Sequence, residues 1–495
     1  MRVVVPALVV ATVLAGIALR FDAASPLWLD EALSVHIASL PIGDIPEALR
    51  HDGHPPLYYF MLHGWMELVG DGPTAVRALS GLFSLVMLPL AWLAGRRIAG
   101  RSGAWAAVVL LAMNPYAIRY ATETRMYSLL MVLVLCGWLL IADALSRPTK
   151  LRLLALAAVS GTMLLTQYWS FYVLAATAVV LAARAWRSSG QVRRNAAAVA
   201  VAVAAGAIAF LPWLPSFVSQ AQHTGTPWAR QQRPTTVAVV TLVDFAGGVS
   251  SETALLAMLL VVLVGLALFG RTADRFRVEI DLRTRPDMRG PLLVSAVTFA
   301  IALVAGYIAS SAYASRYAAV VFPIFIVAAG VGVTRLADAS ARILVLALAV
   351  LLSSYGVYRT FGDDRTQAGE IAQALRDDAE PGDIVAFCPD QLGPAVSRAG
   401  LPEGVRAVVY PTFGPPERVD WVDYEARNSA ADPEAFAEQL LDSAGPRSAV
   451  YLVHIGGYRT FGADCERIHG ELASARRRNV ALVADDPTVF EHAWL

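Results

Sequence analysis

Two carboxylates stand side by side in LWLDEALSVH, Leu27 to His36: Asp30 and Glu31. A third, Glu123, lies between Arg119 and Arg125 in RYATETRMY. Carboxylates take up protons and bind hard cations, and arginine forks hold oxyanions at two points, so these stretches carry the side chains for proton transfer and phosphate recognition. Each also has a plain structural reading. An acidic pair at a helix start gains ~0.3–1 kcal/mol from the helix dipole, and Glu123 with its arginines makes an ion pair that marks a helix end. Between them lies HDGHPPLYYFMLHGW, His51 to Trp65. Its Pro55 and Pro56 suit a helix start, and the aromatic run that follows suits a helix lying in a membrane interface. His54 sits just ahead of the prolines, where an interfacial histidine is the plain reading.

The elements that must position these residues follow from composition. The chain has 495 residues, of which 56% are hydrophobic and 16% charged, which predicts a polytopic α-helical membrane protein. Apolar runs near the ~20 residues that a bilayer requires fall at 3–20, 76–95, 102–118, 127–145, 152–168, 171–187, 196–214, 252–270, 291–310, 317–335 and 341–358. The first run follows Arg2 but has no small-residue cleavage site followed by a polar chain, so it reads as a retained helix. Net charge is zero and Lys150 is the one lysine, which leaves no basic patch of the kind nucleic-acid binding needs. Arginines crowd alternate loops, at 96–101, 147–152, 184–194 and 271–289. The positive-inside rule then places the amino terminus in the cytoplasm and everything after Tyr358 outside. The carboxylates fall in the opposite, external loops: 21–75, and the short loop around Glu123. A further external loop, SQAQHTGTPWARQQRP with Trp228, Arg230 and Arg233, reads as a solvated connection. The aromatic stripe Tyr168 to Tyr172 reads as interfacial anchoring.

Residues 360–495 are a different material. Helical patterns at Gln367–Asp378 and Pro433–Ser443 alternate with β-rich runs at Asp383, Arg406, Ala449 and Asn479, which predicts a small α/β domain. It has no glycine-rich phosphate fingerprint. The three cysteines lack metal-ligand spacing; Cys136 lies in an apolar run, while Cys388 and Cys465 allow either one disulfide or two thiols.

Four motifs occur in order: the W-x-D-E of LWLDEA, the H-P-P-L-Y-Y of GHPPLYYFMLHGW, RALSGLFSLVMLPL, and the Y-x-x-E-x-R-M-Y of YATETRMY. With them the chain resembles the GT-C membrane glycosyltransferases, in the family 39-like group of protein O-mannosyltransferases and the lipid A aminoarabinose transferase. The resemblance runs on through LTQYWSFYVL, FLPWLPSFVSQ and SRYAAVVFPIFIVAAGVG. Gln167 stands where many relatives carry His. The resemblance implies a GT-C catalytic domain over 1–359, with interfacial helices in loop 21–75, and an extracytoplasmic domain over 360–495. It also implies inverting transfer of a sugar, mannose first and arabinose second, from a polyprenyl-phosphate donor. The acceptor would be a hydroxyl of an envelope glycolipid, polysaccharide or protein, on the outer face of a bacterial plasma membrane.

A hydroxyl is a weak nucleophile at neutral pH, so a carboxylate must take its proton as the new bond forms. Asp30 matches the family position with that role, with Glu31 orienting it or holding a cation and Glu123 matching the second acidic position. Arg316 with Tyr317 matches the lipid-phosphate contact; Arg119, Arg125, Tyr120 and His54 are further substrate-binding candidates. A magnesium or manganese ion held by Glu31 and Glu123 is compatible with these oxygen ligands. The alternative function is a lipid-linked sugar carrier or flippase without chemistry. Such a protein places its ionisable groups near mid-bilayer in broken helices, whereas these carboxylates lie in outer loops.

Overall fold

The computed structural model describes residues 4–226, 231–309, 311–362, 364–445, 447–476 and 478–495. Arg2, Trp228 and Arg230 lie outside them. The amino-terminal elements are α1 (Val4–Leu19), α2 (Leu29–Ser39), α3 (Ile45–Asp52), α4 (Leu57–Val69), α5 (Pro73–Met113), α6 (Pro115–Ala121), α7 (Tyr127–Ser146), α8 (Lys150–Thr166) and α9 (Ser170–Trp186). Every one of the apolar runs is helical, because only internal backbone pairing satisfies N–H and C=O groups away from water. By length and composition, six helices among the described residues can cross a membrane: α5, α7, Gly190–His223, Ser251–Phe269, Pro286–Ile308 and Ala339–Phe361. Other apolar helices, α9 and Phe322–Val333 among them, are shorter.

Three departures from the sequence reading have local causes. The runs at 76–95 and 102–118 form one element, α5, broken at Ala99 and Gly100, where Gly100 takes φ 66 and ψ −158. Only glycine adopts that backbone without strain. Pro115 cannot continue the helix, and Asn114 starts α6 instead: its side chain accepts from the Ala117 N–H at 3.0 Å and donates to the Phe245 carbonyl at 2.9 Å. The external loop after Trp213 is in part structured, with helices at Leu214–His223 and Pro234–Asp244. Gln220, which fell in the stretch read as solvated, is buried and faces the first loop, donating to the Leu49 carbonyl at 2.7 Å.

Arg20, at the end of the first apolar run, is fully buried. Its guanidinium bridges α1 to α5 through the carbonyls of Gly16, Ala112 and Leu111 and the Ser84 hydroxyl, at 2.5–2.9 Å. The helices approach closely there because Gly16 has no Cβ; one would stand 2.2 Å from the Ala112 oxygen.

In the C-terminal part, β3 (Ile384–Cys388) is the centre of a three-stranded parallel sheet with β4 (Arg406–Val409) on one side and β5 (Val450–His454) on the other. A separate hairpin of β1 (Gly270–Thr272) and β2 (Val278–Ile280) sits in the arginine-rich loop. Both faces of β3 are buried, which is why IVAFC reads as a continuous apolar run. Ile384 and Ala386 pack with Phe436 and Ile468, while Val385 and Phe387 pack with Ile371 and Leu375. The fourth β-rich run is not a strand: Leu482 and Val483 pair only with Leu495, so no ladder extends from it. Leu33 of α2 joins the core of this part, so α2 is held between the helical bundle and the sheet.

Cys388 and Cys465 form a disulfide across 77 residues, from the end of β3 to the helix Asp464–Ala475. Loss of such a crosslink costs about 2–5 kcal/mol. Reductant should therefore lower the apparent melting temperature of the native protein and leave Cys388→Ser, already lower, unchanged; equal melting of the native protein with and without reductant would contradict this.

Candidate active site

Trp28 precedes α2 with no side-chain cap of its own. The cap comes from far along the chain: Glu491 accepts from the Leu29 N–H at 3.2 Å. Asp30 and Glu31 then occupy the first turn and meet opposite fates. Glu31 is fully buried, and Arg77 grips its two oxygens from Nε at 2.8 Å and Nη2 at 2.6 Å. The Thr124 N–H donates to it at 2.8 Å, and Arg365 stands 3.9 Å away. Burial alone would raise its pKa, but Arg77 outweighs burial and holds the carboxyl below the usual range. Arg77 also donates to the Ser25 carbonyl at 2.6 Å and the Pro26 carbonyl at 3.0 Å. Glu31 thus ties α2, α5 and the Glu123 loop together.

Asp30 keeps a partly accessible side chain. Its Oδ2 lies 3.5 Å from Arg316 Nη1 and has no hydrogen-bond partner. The separation is that of an ion pair without a formed hydrogen bond. Burial works against the charge on Arg316, and the Asp30 carboxylate together with Tyr127, Tyr317 and Tyr120 outweighs it, raising the guanidinium above its ordinary value. The Arg316 guanidinium lies 5.8 Å from the ring centres of Trp28 and Tyr317, a cation–π arrangement.

Beneath Asp30, Arg125 donates to the Asp30 carbonyl at 3.3 Å, Ser34 Oγ at 2.9 Å and His54 Nε2 at 2.8 Å. Arginine only donates, so His54 Nε2 accepts and the ring proton is on Nδ1, 2.8 Å from Asp52. Tyr59 also donates to Asp52, at 3.0 Å. Asp52 is buried, which by itself raises its pKa; the His54 contact reverses this and lowers it. Both His54 nitrogens are therefore occupied. The histidine supports Arg125, which corrects its assignment as a direct substrate ligand.

On the other side of Asp30, a cavity of about 270 Å³ is lined by Trp28, Arg119, Tyr120, Glu123, Arg316 and Phe490 among others. Glu123 is buried; its Oε2 pairs with Arg119 Nε at 3.2 Å, while Oε1 has no hydrogen-bond partner. Tyr120 packs edge-on between Tyr116 and Tyr127, at 4.6 and 4.9 Å. Tyr317 stacks on Trp169 at 5.6 Å. All the predicted site residues thus converge on one end of the bundle.

The predicted magnesium or manganese pair does not fit this arrangement, because Arg77 and Thr124 already engage Glu31 on both oxygens. Glu123 Oε1 alone is open, and among the described residues no group of three His, Cys, Asp or Glu side chains is placed to hold a metal. Glu31 is an anchor here and not a cation ligand.

The sequence reading missed Arg77, Asp52, Arg365, Phe490 and Glu491. Arg77 opens RALSGLF and Asp52 lies within HDGH, so both had a local signal. The others come from the C-terminal part and had none. Phe490 meets Trp28 edge-on at 5.4 Å. Arg365 donates to Thr122 through its carbonyl and hydroxyl, both at 2.8 Å. Burial, with Asp30 and Glu31 adding to it, pushes the Glu491 carboxyl up to about 8. A carboxyl raised in the folded state favours folding fully below its unfolded value and loses that contribution as pH rises to about 8. Glu491→Gln, which mimics the protonated acid, should therefore melt above the native protein at pH 9 and close to it at pH 5. Parallel melting curves at both pH values would refute this.

Residues 53–215 match the model of the dolichyl-phosphate-mannose-protein mannosyltransferase family. The match includes His54, Arg77, Arg119, Glu123 and Arg125 and begins after Asp30 and Glu31. No curated protein matches the chain. Among solved structures, apo ArnT from Cupriavidus metallidurans aligns at 16% identity over 81% of this chain and 85% of its own, with a TM-score of 0.57. ArnT bound to undecaprenyl phosphate aligns at 16% identity over 82% and 86%, with a TM-score of 0.56. The Archaeoglobus fulgidus oligosaccharyltransferase aligns at 12% identity over 90% of this chain and 67% of its own, with a TM-score of 0.55. The chain thus shares its fold with ArnT and the Archaeoglobus fulgidus oligosaccharyltransferase, and residues 53–215 are similar to the dolichyl-phosphate-mannose-protein mannosyltransferase family.

Proposed function

We propose that the chain transfers a sugar from a polyprenyl-phosphate carrier to an acceptor hydroxyl on the outer face of a bacterial plasma membrane. The observation that carries this is the Asp30 carboxylate, whose Oδ2 has no hydrogen-bond partner and stands 3.5 Å from Arg316, a residue that lines a cavity together with Arg119 and Glu123. Asp30 takes the proton of the acceptor hydroxyl while its oxygen bonds the anomeric carbon. The bond from that carbon to the phosphate oxygen breaks, and the lipid phosphate leaves with one more negative charge than it arrived with. Arg316 and Arg119 offset that charge, which matters most where water is scarce. One direct displacement inverts the anomeric configuration.

The arginine bias of alternate loops puts the amino terminus in the cytoplasm, and the Cys388–Cys465 disulfide suits a C-terminal region in an oxidising compartment. On this reading residues 1–359 are catalytic and 360–495 extracytoplasmic. Mannose is the first donor sugar, since the matched family carries it in its description; arabinose is second, by resemblance. The acceptor is an envelope glycolipid, polysaccharide or protein hydroxyl.

The test is release of sugar from a panel of radiolabelled polyprenyl-phosphate sugars by the purified protein in lipid, with envelope extract as acceptor. One donor should be consumed. No consumption of any donor, with lipid-linked sugar crossing the bilayer intact, would favour a carrier.

A further inference from the structure

A second, larger cavity of about 790 Å³ lies where the bundle meets the C-terminal part. Its walls come from residues within 168–172, 217–226, 231–237, 302–309, 311–313 and 421–426. The size is that of a small-molecule site. Aromatic side chains line it, Trp169, Tyr172 and Trp421, together with the amides of Gln220, Gln222, Gln231 and Gln232. The charged side chains among its described lining residues are Asp423, Glu425, Arg459 and His223, with His223 already paired to Asp423 at 3.1 Å. That balance offers no excess positive charge for a phosphate.

The wall chemistry selects a class of ligand. Amides both donate and accept, and aromatic faces take apolar C–H surface. Gln220 is already engaged by Leu49 and Tyr168, and Gln231 by Gly306, but a lipid tail would leave Gln232 unpaired, at ~1–3 kcal/mol for a buried group. Gln232 Oε1 is buried there without a partner. A ligand with apolar ring faces and many hydroxyls satisfies both kinds of wall.

The cavity also has a fixed roof and a wall that adjoins the reaction site. The Trp421 N–H donates to the His51 carbonyl at 3.0 Å, and the Asp423 N–H to the His223 carbonyl at 2.8 Å. Asp423 takes a left-handed φ of 49 to make that turn. Gly53, beside His54, is in the wall, and so is Trp169, which stacks on Tyr317 at 5.6 Å. Tyr317 follows Arg316, the partner of Asp30.

We propose that this cavity is the acceptor site and that the acceptor is a saccharide. Its rings lie against Trp169 and Trp421, its hydroxyls bond the amides of Gln222 and Gln232 and the carboxylate of Glu425, and its reacting hydroxyl extends past Tyr317 toward Asp30. The proposal rests on the transferase reading for its catalytic meaning, but saccharide binding is measured separately.

The full chain in lipid nanodiscs is probed by saturation-transfer NMR with short mannose-, arabinose-, galactose- and glucose-based oligosaccharides and with a Ser/Thr-containing peptide. One oligosaccharide should bind. Trp421→Ala should weaken it about tenfold and Gln222→Ala several-fold, while Trp421→Phe stays near native. Transfer should show the same variants raising the acceptor KM with little change in kcat. Binding of no oligosaccharide, unchanged binding in Trp421→Ala, or displacement of the saccharide by the peptide would overturn the proposal. Trp421-dependent binding without turnover of any donor would keep the cavity and sink the transferase reading. Donor turnover without that binding would do the reverse.

Discussion

Asp30→Asn should lower kcat for sugar transfer by about 10²–10⁴-fold, the usual contribution of a positioned general base. The substitution keeps the side-chain shape and the start of α2, which the Glu491 cap and the Glu31–Arg77 pair hold without help from Asp30. It removes the carboxylate that stands 3.5 Å from Arg316 and takes the proton on this reading. Asparagine also removes a negative charge 3.5 Å from Arg316, and with it a repulsion of the donor phosphate that Arg316 would bind. The donor KM should therefore stay constant or fall while kcat collapses, a split that simple misfolding does not produce. A kcat within about threefold of native would remove Asp30 from the chemistry. A rise in donor KM with kcat preserved would instead make Asp30 a binding residue.

Glu31→Ala should act on stability first. It leaves Arg77 buried at 3% exposure without its carboxylate, and breaking one side of a buried pair costs about 3–5 kcal/mol. It also removes the acceptor of the Thr124 N–H, beside Glu123. The double variant Glu31→Leu/Arg77→Met removes both charges together and should recover a large part of the loss, because no uncompensated ion remains. The check is a double-mutant cycle on apparent melting temperature in nanodiscs. Additive losses would show that the two side chains do not act as a pair. Native-like melting of Glu31→Ala with abolished turnover would make Glu31 catalytic and not an anchor.

The two neighbours were indistinguishable as letters. Consecutive residues on an α-helix point about 100° apart, so on α2 one carboxylate faces Arg316 and the cavity while the next enters the Arg77 pocket. Which is which depends on what packs on either side of the helix. One side is α5; the other carries Arg316, 286 residues further along the chain.

His54 and Glu123 show the same limit. Their motifs were visible, but the Asp52 and Arg125 contacts that occupy both nitrogens of His54, and the Arg119 contact that leaves Glu123 Oε1 open, are matters of distance. The aromatic run Tyr168–Tyr172 read as anchoring because its composition suits an interface equally well; Trp169 and Tyr172 instead line the larger cavity.

The sequence by itself determined the helical runs, their approximate ends and the end of the molecule at which the polar residues gather. These follow from bilayer thickness and from the need of each backbone group for a partner, constraints that act within one segment at a time. It also showed the three strands of the C-terminal sheet, through their local apolar runs. Only the tertiary structure decided that Glu491 caps α2, that Phe490 reaches Trp28, and that Arg365 braces the Glu123 loop. Those contacts join residues hundreds of positions apart, and pairing energies of that kind depend on separation in space, which no local pattern of residues encodes.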